Sequence, residues 1–361
     1  MKRAGRLMER VVDCDNLREA YVRAARGKRA KRDARAFADR LDDNLLELAG
    51  ELSEGTYTVG PYHRFTIHDP KERLITAPCF RDRVVHHALM RVCDPVFERF
   101  LIFDTYACRV GKGREAAVAR ASEFARRHPW FLKMDIRRYF DSIPHATLLA
   151  LLARKFKDRR LLGIFDRIVA SAESSPGRGI PIGSLTSQHF ANFYLGWLDR
   201  YVKETLRIQG YVRYMDDFVV WGDDRGELRS ARDRIATFLE RELSLSLKLE
   251  PYINRVVRGM DFLGCRVGPG VVRLNRRSRV RFGVRLRALD RLYAEGGIGS
   301  GSAQQRATAL VAFTSAAGAR SWRWRRRVVQ SLRVDGQDLE PGESGRELVL
   351  HRLALPPGVP Q

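Results

Sequence analysis

Large apolar residues recur at helical spacing in several parts of the chain. The clearest series follows a loop rich in glycine and proline, and it advances in steps of three and four residues: Phe190, Phe193, Tyr194, Trp197, Leu198, Tyr201 and Val202. Because this spacing puts the side chains on one face, it predicts a long amphipathic helix packed on a core. Comparable patterns predict helices over 16–53, 81–100, from about 144 onward and 227–243, with Ser142 as a candidate cap of the third.

Short runs rich in β-branched and aromatic residues alternate with these helices. The run 130–134 is almost entirely apolar and ends on Asp135, as expected of a buried strand. Further runs predict short strands or hairpins: 57–80, 211–214 with 218–221, and 261–267 with 271–274. The order strand, helix, helix, hairpin, helix, hairpin predicts an α+β domain in which helices back an antiparallel sheet.

Composition narrows the class of partner. The chain has 361 residues, 44% of them hydrophobic, which is enough for a substantial core and two or three domains. Its net charge of +23 indicates a polyanionic partner, nucleic acid first and an anionic membrane surface second. No long apolar run and no secretory leader is visible, so we expect a cytoplasmic protein with no membrane partner. Five cysteines without a Cys-x-x-Cys pair argue against zinc and disulfides.

Three carboxylates stand out as candidate chemistry. Asp135 ends a predicted strand, and Asp216-Asp217 sits at the tip of a predicted hairpin. Crowded carboxylates are costly unless a cation offsets them, and hard oxygen ligands suit Mg²⁺. If the hairpin tip faces Asp135, the three can hold two Mg²⁺ ions about 3.5–4 Å apart. The alternative is a plain turn, since Asp favours turns; Asp223-Asp224 is expected to be one.

Five segments in order resemble reverse transcriptase motifs. Tyr214-Met215-Asp216-Asp217 is similar to the Tyr-x-Asp-Asp motif of that family, and 131–143 resembles its first metal-binding motif. The others are 71–75 in the fingers, the loop-to-helix segment 179–188, and 261–264. The resemblance covers about 55–290 and implies an RNA-directed DNA polymerase with a right-hand fold: fingers, a palm of antiparallel sheet backed by helices, and a helical thumb.

The resemblance also implies a domain organisation. It predicts a basic helical N-terminal region, fingers with a contribution from 142–180, a palm with the catalytic site and primer-grip hairpin, a basic helical thumb and an irregular tail. The boundaries are 1–54, 55–133, 134–272, 273–335 and 336–361.

Within the family, the chain looks like the enzymes of diversity-generating retroelements. Ser187-Gln188 stands where group II intron enzymes typically carry Ser-Pro, and 82–89, 106–113 and 274–278 also resemble that subfamily. The implied function is error-prone cDNA synthesis from a template RNA. Two alternatives stay open: another prokaryotic reverse transcriptase (retron, group II intron-like or phage-defence), and a non-catalytic RNA-binding module built on a palm.

The resemblance assigns roles at the metal site. It makes Asp135 and Asp216 the principal ligands of two Mg²⁺ ions, with Asp217 beside them and the Ile136 carbonyl as an extra ligand; Mn²⁺ is a possible substitute. Many members of the family carry a lysine after the helix that follows the hairpin, and this lysine protonates the pyrophosphate. In this chain either Lys248 or Arg255 is a candidate for that role.

The substrate site follows in the same way. Arg73 matches a residue that contacts the triphosphate, with Lys71 assisting. Phe140 matches an aromatic gate under the sugar that favours dNTPs, although an ordinary core Phe is the alternative. Ile182, Gly183 and Gln188 are expected to line the dNTP pocket; Ile182 replaces a Gln typical of retroviral enzymes, which implies low fidelity opposite adenine. The primer-grip residues would be Phe262, Leu263 and Gly264.

Partners are also implied. We expect template RNA, an RNA/DNA duplex, dNTPs and a small basic accessory protein that forms a pentameric helical bundle. The basic stretches 273–291 and 320–327 suit a thumb that follows a duplex backbone.

Overall fold

The structure is a computed structural model that describes residues 3–68, 72–248, 251–314 and 317. It divides into two compact units. The first comprises Met1–Gly111, Lys133–Val219 and Arg229–Tyr252, and the second Lys112–Leu132, Val220–Leu228 and Ile253–Gln361. Both contain helices and strands, so the fold is a mixture of helix and sheet, as the sequence predicts. The five domain boundaries stay predictions.

The N-terminal region, predicted as helical over 16–53, consists of four helices. They are α1 (Met8–Val11), α2 (Cys14–Ala25), α3 (Arg32–Asp39) and α4 (Leu41–Glu54). Helix α2 begins where it does because the Asp13 carboxylate accepts hydrogen bonds from the backbone N–H groups of Asp15 and Asn16, both at 3.1 Å. The antiparallel hairpin of β1 (Tyr62–Ile67) and β2 (Arg73–Pro78) follows.

The first unit is built around α5 (Phe80–Phe100), which packs against α2 and α10 (Leu185–Arg200). The predicted apolar stripe forms this contact: the ring centroid of Phe193 lies 5.3 Å from that of Phe97 and 5.0 Å from that of Phe100. Helix α10 continues into a π-helical turn, Tyr201–Thr205. The stripe is therefore a core contact, as predicted from its spacing.

Residues 139–170 form three helices rather than the single helix predicted. They are α7 (Tyr139–Ser142), α8 (His145–Ala153) and α9 (Arg159–Ala170). The prediction that Ser142 caps α8 is wrong. Ser142 ends α7, its hydroxyl donates to the Arg137 carbonyl at 3.1 Å, and Pro144 is the residue before α8.

A four-stranded sheet has the order β4-β5-β3-β6. Its strands are β3 (Trp130–Asp135), β4 (Gly210–Tyr214), β5 (Asp217–Gly222) and β6 (Tyr252–Arg255). The buried strand ending on Asp135 and the hairpin around Met215 are both found as predicted. Since β3 lies next to β5, two chain segments about eighty residues apart become neighbours.

The second unit includes α6 (Arg114–Arg127) and a three-stranded antiparallel sheet of β7 (Met260–Phe262), β8 (Cys265–Gly268) and β9 (Val271–Leu274). One hairpin was predicted over 261–274. A tight turn divides its first half instead, because Leu263 (φ 48°) and Gly264 (φ 81°) both adopt the left-handed conformation.

Two further helices belong to this unit. Helices α12 (Arg276–Ala294) and α13 (Ser300–Thr314) pack through Phe282, Leu286, Leu289 and Ala307. Helix α11 (Arg225–Leu243) has residues in both units. The stretches 320–327 and 336–361 lie outside the described residues. Within the described parts of the chain, no helix combines the length and the apolar character needed to cross a bilayer.

Candidate active site

The turn between β4 and β5 carries the Tyr-Met-Asp-Asp segment. Tyr214 ends β4 and Asp217 begins β5, so Met215 and Asp216 form the turn. Met215 has φ 57°, which is strained for a residue with a side chain and persists only where surrounding contacts hold it. Its carbonyl accepts a hydrogen bond from the Arg213 guanidinium at 3.0 Å. A hydrogen bond from a charged side chain therefore stabilises the turn that contains Asp216.

Arg213 is part of a buried ionic network. Its Nε and one terminal nitrogen donate to the two carboxylate oxygens of Asp199, both at 2.6 Å, and both side chains are 0% exposed. Besides the Met215 carbonyl, the guanidinium donates to the side-chain and main-chain oxygens of Asn192, each at 3.0 Å. Burial alone would lower the pKa of Arg213, but the Asp199 carboxylate raises it above its ordinary value. The guanidinium therefore stays charged.

Two hydroxyls complete the shell around Asp199. Tyr211 and Thr105 each donate to one carboxylate oxygen, at 2.6 and 2.7 Å. With the two nitrogens of Arg213, the carboxylate accepts four hydrogen bonds. Every acceptor position of this buried charge is used, which is the condition under which such a pair is tolerated.

The three predicted carboxylates influence one another. Burial, and then the charge of Asp135, raise the pKa of Asp216, while Arg73 and Arg213 oppose the rise. Burial raises the pKa of Asp217 to about 6, the charges of Asp135 and Asp216 add to this, and Lys133 opposes it. The structure thus brings Asp135, Asp216 and Asp217 into one negatively charged region.

Two lysines contact these carboxylates. Lys133 on β3 lies 3.1 Å from the Asp217 Oδ2, with both side chains about three-quarters buried. Lys248 Nζ lies 3.9 Å from the Asp135 Oδ2, and the Lys248 backbone N–H donates to the Asp135 carbonyl at 2.8 Å. The other candidate cation, Arg255, lies in the second unit with its guanidinium 5.2 Å from the centre of the Trp130 ring.

The donor set fits a divalent cation. Asp217 Oδ1 is buried without a hydrogen-bond partner among the described residues, and the charge of Asp135 raises the pKa of both Asp216 and Asp217, an effect that a bound cation would oppose. Across the described ranges, no three or more His, Cys, Asp or Glu side chains are already gathered in metal-binding geometry. The Ile136 main chain lies next to the site, where Ile136 pairs with Leu247 in an isolated bridge.

Three segments meet where a nucleotide is predicted to bind. The Thr76 N–H of β2 donates to the Ile182 carbonyl at 2.7 Å, and the Ile180 N–H donates to the Phe140 carbonyl at 3.0 Å. Arg73 begins β2 and is close enough to Asp216 to influence its pKa. Phe140 is half-buried, so part of its side chain is accessible to solvent.

Gly183 permits the close approach of its loop to β2. It has φ 118°, and a Cβ at this position would lie 2.9 Å from the Ile75 Cγ2 and 3.3 Å from the Thr76 carbonyl oxygen. A side chain would therefore push the loop and the strand apart.

The structure also describes Gln188 and the predicted primer-grip residues. Gln188 is exposed on the first turn of α10, with its Oε1 3.7 Å from the Cys108 Sγ. Phe262 is fully buried in the second unit, where the Leu263 carbonyl accepts from the Arg114 Nε at 2.7 Å and Gly264 forms the turn. Lys71 lies outside the described residues.

Asp223-Asp224, predicted to be a plain turn, lies between β5 and the start of α11. The Asp224 carboxylate accepts from the N–H groups of Gly226 and Glu227 at 2.6 and 2.9 Å, so it caps the start of α11. The sequence analysis did not identify the Arg213–Asp199 network or Lys133 as part of the site. The available signal was the presence of Lys133 and Arg213, each a charged residue inside a run predicted to be a buried strand.

Comparison with known proteins agrees with this site. The family model described as reverse transcriptase (RNA-dependent DNA polymerase) matches residues 68–267, more than half of the chain. The chain therefore belongs to the reverse transcriptase family.

Three relatives illustrate the similarity. Protein YkfC of Escherichia coli K12 is 25% identical over 281 residues, covering 63% of this chain and 72% of YkfC. An uncharacterized 91 kDa protein in the cob intron of Schizosaccharomyces pombe is 29% identical over 169 residues, 45% of this chain and 21% of that protein. The group II intron-encoded protein LtrA of Lactococcus lactis subsp. cremoris is 24% identical over 170 residues, 45% of this chain and 28% of LtrA. The chain thus spans less than a third of the last two.

Proposed function

We propose that this chain is an RNA-directed DNA polymerase, with fingers, palm and thumb arranged as a right hand. The proposal rests on the proximity of three charged side chains: the charge of Asp135 raises the pKa of Asp216, and the charge of Arg73 lowers it. These carboxylates, with Asp217 and the Ile136 carbonyl, would hold two Mg²⁺ ions, with Mn²⁺ as a substitute. Such ions supply activation of the primer 3′-hydroxyl and stabilisation of the pyrophosphate leaving group.

The other residues position the nucleotide. Arg73, assisted by Lys71, binds the triphosphate through charge-assisted hydrogen bonds. Phe140 packs under the sugar, where its ring would clash with a ribose 2′-hydroxyl and so favour dNTPs. Ile182 and Gly183, with Gln188, form the pocket for the base and sugar. Phe262, Leu263 and Gly264 form the primer grip.

Lys248 is the better candidate for the proton donor. As the bond from the primer 3′-oxygen to the α-phosphorus forms, the bond to pyrophosphate breaks and its oxygen takes a proton from the Lys248 ammonium. This assignment is supported by the 3.9 Å contact of Lys248 with Asp135, whereas the Arg255 guanidinium lies over the Trp130 ring.

Primer extension on an RNA template with dNTPs and Mg²⁺ tests the proposal. Wild type should extend the primer and Asp135→Asn should not, because a neutral amide cannot replace a carboxylate ligand. Asp141→Asn is the matched control: Asp141 is exposed six residues further on, and its carboxylate accepts a hydrogen bond from the Ser174 hydroxyl at 3.1 Å. Absence of extension by wild type would favour the non-catalytic RNA-binding module instead.

The finer proposal is error-prone cDNA synthesis in a diversity-generating retroelement, in the cytoplasm, with a template RNA and a pentameric basic accessory protein. Ile182 supports it, since an aliphatic side chain cannot make the hydrogen bonds of a Gln at the nucleotide. Ile182→Gln should lower misincorporation opposite template adenines, measured by sequencing extension products. An unchanged error spectrum would contradict the proposed role of Ile182.

A second candidate is an intron-associated reverse transcriptase, favoured by the similarity to LtrA. The same sequencing experiment separates the two. A wild-type error rate that is low and even over all four template bases would favour the intron-associated function.

A further inference from the structure

Arg178 connects the end of α11 to the end of α7, both within the first unit. It is half-buried, and its Nη1 donates to the Ser142 carbonyl at 3.0 Å and to the Ser244 carbonyl at 3.3 Å. Ser142 ends α7, and Ser244 is the first residue after α11. Carbonyls at the end of a helix lack partners within the helix and carry partial negative charge, so they suit a guanidinium. One side chain therefore stabilises both helix ends.

The chain needs such contacts where it leaves α11. Ser244 has φ 49°, a left-handed conformation that is costly for a residue with a side chain and persists only where surrounding contacts stabilise it. Tyr194 makes a second contact with this end, because its hydroxyl donates to the Leu243 carbonyl at 2.7 Å. Arg178 and Tyr194 thus fix the direction in which the chain leaves the helix.

Residues 244–248, the exit segment of α11, lead directly to the carboxylate region. The Arg137 N–H donates to the Ser246 carbonyl at 3.0 Å, and the Lys248 N–H donates to the Asp135 carbonyl at 2.8 Å. Lys248 is the last residue of the segment, and its Nζ lies 3.9 Å from the Asp135 Oδ2. A change of direction at the start of the exit segment would therefore move the ammonium relative to the carboxylate.

Arg178 also precedes the loop that lines the proposed nucleotide pocket. The next two residues fix this loop through their backbones: the Gly179 N–H donates to the Ile143 carbonyl at 2.9 Å, and the Ile180 N–H donates to the Phe140 carbonyl at 3.0 Å. The Arg178 side chain takes no part in these bonds, since its carbonyl acceptors lie at the two helix ends. Its effect on the exit segment can therefore be separated from an effect on the loop.

We propose that Arg178 is a positioning residue for the polymerase reaction and acts through Lys248. By fixing the exit segment, its guanidinium keeps the Lys248 ammonium beside Asp135, from where the proton passes to the leaving pyrophosphate oxygen. Arg178 does not itself transfer the proton. A displacement of about 1 Å can lower a rate about a hundredfold, so a contact remote from the chemistry can still affect it. This role rests on the proposed function, in particular on Lys248 as the proton donor.

Single-turnover primer extension on an RNA template measures the effect on the reaction. Arg178→Gln should lower the maximal rate about tenfold and leave the dNTP concentration at half-maximal rate unchanged. Arg178→Lys should restore the rate to within a few-fold of wild type, because an ammonium can donate to both carbonyls. A raised half-maximal dNTP concentration with an unchanged maximal rate would mean that Arg178 acts on the nucleotide loop, and the proposal would be wrong.

Arg241→Gln is the matched control. Arg241 is exposed in the last turn of the same helix, so this change also removes one positive charge near the end of α11. It should leave the maximal rate unchanged. Equal losses from Arg178→Gln and Arg241→Gln would overturn the proposal, because charge near the helix end would then explain both.

A double mutant separates the positioning of Lys248 from general damage. In a Lys248→Met background the proton donor is absent, so adding Arg178→Gln should change the rate by less than about twofold. A further tenfold loss there would show that Arg178 acts independently of Lys248 and would refute the proposal. Thermal unfolding establishes that each variant is folded. If Arg178→Gln does not fold, Tyr194→Phe, which loses its bond to the end of α11, is compared in the same two backgrounds with the same expectation.

Hydrogen exchange tests the structural part without catalysis. The Lys248 N–H donates to the Asp135 carbonyl, so its exchange reports whether the exit segment stays in place. In Arg178→Gln, peptides that cover this segment should exchange at least about tenfold faster than in wild type, and in Arg241→Gln at the wild-type rate. Unchanged exchange in Arg178→Gln would contradict the proposal. If wild type does not extend the primer, the proposed function fails, whereas the exchange rates still decide whether Arg178 fixes the exit segment.

Discussion

Asp199→Asn is expected to be among the most destabilising single-atom changes in the protein. The Asp199 carboxylate accepts four hydrogen bonds, two from Arg213 and one each from Tyr211 and Thr105. An amide presents its NH₂ group to one N–H of Arg213 and to one hydroxyl. The hydroxyl can rotate and accept, but the guanidinium cannot, so at least one contact becomes repulsive. It also leaves the buried Arg213 guanidinium without a counter-charge.

The expected loss of stability follows from the burial of the Arg213–Asp199 pair. Removing one partner of a fully buried ion pair costs about 3–5 kcal/mol, because the remaining charge is uncompensated. At about 2–4 °C per kcal/mol for a domain of this size, the melting temperature should fall by about 6–20 °C. The turn should also loosen, because Arg213 holds the Met215 carbonyl.

Thermal and urea unfolding measure the effect, with Glu204→Gln as the control. Glu204 pairs with Arg200 at 2.8 Å at the same end of α10, but its side chain is 56% exposed. An exposed i, i+4 pair contributes less than about 1 kcal/mol. Equal losses of stability from Asp199→Asn and Glu204→Gln would refute the argument that burial and full hydrogen bonding make the Arg213–Asp199 pair important for stability.

Three further predictions concern the surrounding structure. Gly183→Ala should raise the KM for dNTPs in primer extension, because its Cβ would press on β2, whereas Gly163→Ala, in α9 with nothing within 4 Å, should leave KM unchanged; equal effects would contradict the proposed close approach. Burial lowers the pKa of His86 to about 3, so only the unfolded chain takes up its proton as the pH falls below about 6.5. Stability should then decrease by about 1.4 kcal/mol per pH unit on account of this group, and urea unfolding at pH 7 and pH 5 should show a smaller difference for His86→Gln than for wild type; an equal difference would mean that His86 is already protonated in the folded chain. Lys248→Met should lower the single-turnover extension rate about a hundredfold, and Arg255→Met should not; the reverse result would exchange their assignments.

Local patterns in the sequence were sufficient for the elements that carry the site. The strand ending on Asp135 and the hairpin around Met215 could be predicted because an apolar run and a period of two depend only on neighbouring residues. A local role for Asp223-Asp224 could be predicted for the same reason, but the sequence indicated a plain turn, whereas the Asp224 carboxylate caps α11.

What depends on distant contacts could not be predicted. Arg213 and Asp199 are 14 positions apart, and nothing in either segment says that both are fully buried and paired. The pairing of Lys133 with Asp217 requires β3 and β5 to be neighbours in the sheet. Ser142 looked like a helix cap because the separate turn of α7 depends on how residues 137–142 fold back.

The central claim is that Asp216 is a catalytic carboxylate and not merely a turn residue. The most direct measurement is the single-turnover rate of dNTP incorporation on an RNA template, for wild type, Asp216→Asn and Asp223→Asn. Asp223 is the control because its exposed carboxylate contacts only the His128 ring, at 2.9 Å, among the contacts resolved. We expect Asp216→Asn to lose at least about a thousandfold in rate, equivalent to about 4 kcal/mol of transition-state stabilisation, while Asp223→Asn keeps the wild-type rate. Rates within a few-fold of wild type for both variants would contradict the account.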